Sequence, residues 1–194
     1  MQDVLLGFAK SPLQREKLQD STLGILITDA MKLHAKAEIS FVSSGTTKVE
    51  IDSGEIYSSD VDEAIPFKDS IVLMELTGAK VVEILEQSAK LEADSGGSGG
   101  KILQVSGIRF KYNLKLEKGK RVIEATINGA PISPIRIYLA AVSKYLSDGG
   151  DGYVQFKDGK TLGDVGELKT VVKQYIKTAG AIDIQRDMRI QYLE

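Results

Sequence analysis

Four β-favouring runs, 102–105, 108–114, 121–127 and 135–142, follow one another in the second half of the chain. They constrain its fold more than any other feature. Asn128-Gly129 marks a tight turn among them, and helical patterns stand on either side. Helices and strands interleave without a clean βαβ repeat, which favours an α+β, mixed layered α/β domain over a doubly wound parallel sheet. At 194 residues the chain has room for one domain with a short extension. The reading is an arm or inter-domain linker over 1–19, which carries Pro12 and several charges, and a single domain over 20–194.

The helical patterns are specific. Asp20 or Ser21 caps a helix that places Leu23, Leu26, Ile27, Ala30, Met31 and His34 on one buried face. A short helix over 59–64 and a strand over 71–76 precede a second long helix, 79–91, whose core face is Val81, Val82, Leu85 and Ala89. The pattern predicts a final helix over 165–177, with Val165, Leu168, Val171, Val172, Tyr175 and Ile176 inward, and a last strand over 189–193. Between the halves lies Asp94-Ser95-Gly96-Gly97-Ser98-Gly99-Gly100, read as a mobile loop inside one domain.

Composition excludes several functions. Lys and Arg total 25 against 27 Asp and Glu, so the net charge of −2 lacks the basic excess that nucleic-acid binding requires. There is no cysteine and one histidine, His34, which removes thiolate nucleophiles and Cys- or His-rich metal centres. No run is apolar for long enough to predict a membrane span. Neither paired acids, a base beside a nucleophile nor a metal-ligand set forms a convincing catalytic constellation, so no catalytic or metal residue is predicted.

Two segments carry candidate chemistry. Tyr145-Leu146-Ser147-Asp148-Gly149-Gly150-Asp151-Gly152-Tyr153 combines a tight glycine turn with aromatic faces and an acid that accepts hydrogen bonds from a diol. It reads equally as a site for a hydroxylated ring or as an aspartate-glycine loop packed under its own tyrosines. Ser43-Ser44-Gly45-Thr46-Thr47-Lys48 is a small-residue loop that brings backbone amides near a ligand, or a plain turn. Taken alone, Phe67 reads as core, and Lys17 and Lys48 as solvated surface.

Five pieces in order resemble the C-terminal, substrate-binding domain of 5′-nucleotidases and UDP-sugar hydrolases. They are Asp20-Ser21-Thr22-Leu23-Gly24 with Thr28-Asp29-Ala30; Ala64-Ile65-Pro66-Phe67; Leu76-Thr77-Gly78 with Ile84-Leu85-Glu86; Ile102-Leu103-Gln104-Val105-Ser106-Gly107; and the segment 145–153. The resemblance implies that Phe67 and Tyr145 stack on a nucleobase, that Asp151 accepts ribose hydroxyls, and that the loop containing Ser43, Gly45 and Lys48, together with Lys17, faces the rest of the nucleotide. It also implies a metallophosphatase domain, in cis or as a separate chain, that holds the divalent metal ions. No cofactor is expected in this chain, which should be catalytically silent alone. Export to the periplasm, cell surface or exterior is a further implication. Lysine stands where the family has arginine at Lys17 and Lys48, and Ser43 where it has asparagine. These exchanges favour the alternative of a non-catalytic ligand-sensing or protein-interaction module.

Overall fold

Ser21 stays extended and its hydroxyl accepts from the Gly24 amide, so the first helix begins at Thr22. The structure is a computed structural model that describes residues 3–97 and 101–194. In chain order the elements are β1 (Leu5–Ala9), α1 (Thr22–Ala35), β2 (Ile39–Ser43), β3 (Gly54–Tyr57), α2 (Ser58–Ala64), β4 (Ser70–Thr77) and α3 (Gly78–Asp94). The second half adds β5 (Leu103–Ser106), β6 (Ile108–Tyr112), β7 (Val122–Ile127), β8 (Ala130–Pro131), β9 (Ile137–Ser143), α4 (Lys144–Ser147), β10 (Lys160–Glu167), α5 (Leu168–Ala179), β11 (Ala181–Ile182) and β12 (Ile190–Tyr192).

A five-stranded mixed sheet, ordered β10-β4-β9-β2-β5, forms the middle layer. Only its β2–β9 pairing is parallel; the others are antiparallel. Alternation along the strands sends side chains to both faces. Ile39, Phe41, Val72, Met74, Ala140 and Val142 join α3 and the four-stranded sheet β12-β6-β7-β8 in one core. Val42, Ile71 and Ala141 join α1, α2, α5 and β1 in the other. This layering of helices on mixed sheets is an α+β fold. Among the described residues no helix is long and apolar enough to cross a membrane.

Several expectations need correction. His34 and Val82, expected on buried helix faces, are exposed. The predicted arm over 1–19 is part of the domain: β1 pairs with β3 and β11, Leu13 bridges Ile51, and Leu6, Ala9 and Leu13 are buried. Its partners lie far along the chain, so the local charges and Pro12 conceal them. The helix predicted over 165–177 starts later, at Leu168, where Glu167 caps the Thr170 amide. Val165 belongs to β10 instead, whose register against β4 shifts twice, between Thr161 and Gly163 and between Asp164 and Gly166. Each bulge resets the alternation and erases the strand signal from the sequence. Of the glycine-rich stretch read as a mobile loop, residues 94–97 complete the end of α3, and 98–100 lie outside the described residues.

Candidate functional site

The site forms where β9 ends. Ser143 caps α4 by accepting from the Leu146 amide at 3.3 Å, and Asp69 Oδ1 accepts from the Tyr145 amide at 3.2 Å. Leu146 is buried while the Tyr145 ring remains 51% exposed, so the short helix presents its aromatic outward. A Cβ at Gly150 would lie 2.5 Å from the Tyr145 carbonyl oxygen and 2.6 Å from its ring, so only glycine lets the loop fold back this closely. Asp151 then adopts φ +53°, a left-handed conformation uncommon outside glycine.

Asp151 is the junction of the site. Its Oδ2 accepts from the Ser43 hydroxyl at 2.6 Å, and its Oδ1 accepts from Lys101 Nζ at 3.0 Å and the Tyr145 hydroxyl at 3.2 Å. The Asp151 amide donates back to the Tyr145 oxygen at 3.1 Å. Burial alone would push this carboxyl up, but the Ser43 hydroxyl and the Lys101 ammonium outweigh it and hold Asp151 below the usual carboxylate value. Asp69 is shifted the other way. Burial raises it, and the amides of Ser70 and Tyr145 recover only part of the loss.

The 43–48 loop approaches from the other side. Ser43 Oγ accepts from the Gly45 amide at 3.2 Å, closing one 3-10 turn over Ser44–Thr46. Lys48 Nζ stands 5.3 Å from the centroid of the Phe67 ring, within cation–π range. The buried aromatics pair with one another, as Phe41 does with Phe156 at 5.4 Å, whereas Phe67 remains 48% exposed. Tyr153, the second aromatic of the 145–153 segment, is wholly buried; its hydroxyl donates to the Lys101 carbonyl. The segment thus offers Tyr145 to solvent and packs Tyr153 beneath, as the packed-loop reading expects of Tyr153 alone.

Gly45, Lys48, Phe67, Lys101, Tyr145 and Asp151 line a single cavity of about 650 Å³. That volume lies in the ordinary range for small-ligand pockets. Ser43 supports Asp151 without lining the cavity, and Lys17 is exposed and not among the described residues that line it. Arg15 is the arm-segment cation tied to the 43–48 loop, through Thr47 Oγ1 and the Lys48 carbonyl at 3.3 Å each. Sequence reasoning missed Lys101 and Asp69. The position of Asp69 just after Pro66-Phe67 was a usable signal, but nothing local marks Lys101 as a partner of Asp151.

A second cavity, about 470 Å³, lies beside α1 and β6. Its Asp29 and Arg189 already form a two-pronged ion pair at 2.6 and 3.0 Å, with Ser106 donating to Asp29 at 2.5 Å. Among the described residues no group of three or more His, Asp or Glu is placed to hold a metal ion.

Residues 3–158 match the family model described as the 5′-nucleotidase, C-terminal domain. The chain belongs to that family. Relatives of this 5′-nucleotidase C-terminal domain include an apyrase of Tabanus yao, 26% identical over 98% of this chain and 38% of the relative. The trifunctional nucleotide phosphoesterase protein YfkN of Bacillus subtilis is 31% identical over 79% of this chain and 11% of the relative. A solved 5′-nucleotidase precursor from Thermus thermophilus superposes with a TM-score of 0.89 at 26% identity, over 97% of this chain and 39% of that one. The chain thus spans well under half the length of each of these proteins.

Proposed function

We propose that this domain recognises a nucleoside or nucleotide for a 5′-nucleotidase-like hydrolase. In this reading the base stacks between Phe67 and Tyr145, Asp151 accepts ribose hydroxyls, and Lys48, with Lys17 by resemblance, draws the phosphates. Hydrolysis belongs to a metallophosphatase domain outside this chain, in cis or separate, which carries any divalent metal. The observation that carries the reading is the pair of half-exposed aromatic rings on the walls of one cavity that also holds a strained, internally anchored aspartate. The names of the relatives, nucleotide phosphoesterase and 5′-nucleotidase among them, support the substrate class. Export to the periplasm, cell surface or exterior belongs to the same proposal.

Lysine offers a point charge without the planar fork of arginine, so phosphate recognition should be loose. That feature favours the second reading, a non-catalytic ligand-sensing or protein-interaction module. Metal-free calorimetric titration with adenosine and AMP separates the two. Tyr145→Ala and Phe67→Ala should each weaken adenosine binding about 5- to 150-fold, the range for one lost base–aromatic stack of about 1–3 kcal/mol. Equal binding in both variants and the parent would refute the clamp, and no heat with either ligand would leave the interaction module standing.

A further inference from the structure

A carboxylate offers about four lone-pair directions, and Asp151 has filled three of them within its own fold. Lys101 and Tyr145 occupy Oδ1, and Ser43 occupies Oδ2. Two vicinal hydroxyls that donate side by side require two free directions, and only one remains. A donor must leave before such a diol seats in full.

The three donors differ in how readily they go. Ser43 is buried, bonds at 2.6 Å, and simultaneously accepts from the Gly45 amide. The Tyr145 hydroxyl is held reciprocally by the Asp151 amide. Lys101 has neither restraint on its ammonium: its side chain is 39% exposed, and water takes over its hydrogen bonds at small cost. Its backbone is nevertheless fixed. The Lys101 amide donates to Oε2 of buried Glu92 at 2.9 Å, and its carbonyl accepts from buried Tyr153. The ammonium therefore leaves Asp151 and returns to it from an anchored base.

We propose that Lys101 is a specificity-determining latch on Asp151, occupying the acceptor direction that the second hydroxyl of a vicinal diol needs. The latch lowers the preference of the site for ribose over 2′-deoxyribose. This inference rests on the nucleoside reading given above. It makes the ribose preference a property of an ion pair, which salt screens, rather than of the carboxylate alone.

The test is metal-free calorimetric titration of the parent chain, Lys101→Met and Lys101→Arg with adenosine and 2′-deoxyadenosine. Lys101→Met should raise the ratio of the 2′-deoxyadenosine Kd to the adenosine Kd about two- to fivefold, the cost of displacing one half-exposed ion pair. Lys101→Arg keeps a cation on Asp151 and should stay near the parent ratio. Added salt should raise the ratio in the parent and leave it unchanged in Lys101→Met. Adenosine binding by Lys101→Met alone would also support the latch. An unchanged ratio in Lys101→Met, with both nucleosides bound, would overturn the latch while leaving the nucleoside reading intact. Failure of all three proteins to bind adenosine would overturn both.

Discussion

Replacing Gly24 by alanine should destabilise the domain, although alanine is the better helix former by about 1 kcal/mol. Gly24 lies in the first turn of α1, and a Cβ there would meet Gln104 Oε1 at 2.2 Å, with Cγ at 2.6 Å and Cδ at 2.7 Å. Gln104 projects from β5, is 2% exposed, and joins the strand to the start of the helix. Its Oε1 accepts from the Ser21 amide at 2.9 Å and the Ser21 hydroxyl at 3.2 Å, and its Nε2 donates to the Gln19 carbonyl at 3.1 Å. Moving that amide aside leaves at least two buried polar groups without partners, at about 1–3 kcal/mol each. Set against the helix gain, the net loss is about 3 kcal/mol. For a domain of this size that is a fall in Tm of roughly 6–12 °C, read by circular dichroism.

A double-mutant cycle isolates the cause. Gln104→Ala forfeits the same hydrogen bonds but opens the space, so adding Gly24→Ala to it should be neutral or stabilising by up to about 1 kcal/mol. A parent-like or higher Tm for Gly24→Ala alone would refute the reasoning. So would an equal loss in the two backgrounds.

Three further outcomes follow from the site. Gly150→Ala should weaken adenosine binding about as much as Tyr145→Ala, because its Cβ occupies the space of the Tyr145 ring and carbonyl; parent-like affinity would show that the loop yields without moving the ring. Asp69, raised by burial, lowers stability at neutral pH and recovers it as pH falls through its folded value, so the gain from Asp69→Asn should shrink towards about pH 4. Asp151, held low, stabilises above the ordinary carboxylate value and loses that contribution as pH falls through its own. The penalty of Asp151→Asn should therefore also shrink on acidification, and denaturation profiles parallel to the parent's at every pH would contradict both assignments.

Some of this protein was determined by residues acting on their immediate neighbours. Ser21 capping α1 and Asn128-Gly129 turning the chain with φ of +50° and +80° are local events, settled within a few residues and readable from them. Tyr145 and Asp151 were legible together in one glycine-rich segment, but the gathering of Phe67 with them was legible only through the resemblance carried by five separated pieces, since no short-range rule links their positions. The tertiary structure decided the rest. β1 is a strand because β3 and β11 supply its partners, and β10 is one despite two bulges because β4 does. Lys101 reaches Asp151 across 50 positions, held by Glu92 and Tyr153, and Asp69 reaches the Tyr145 amide across 76. Capping and turn preferences are short-range energies written in adjacent residues, whereas edge pairing and ion-pair geometry depend on which distant groups the packed layers bring within a few ångströms.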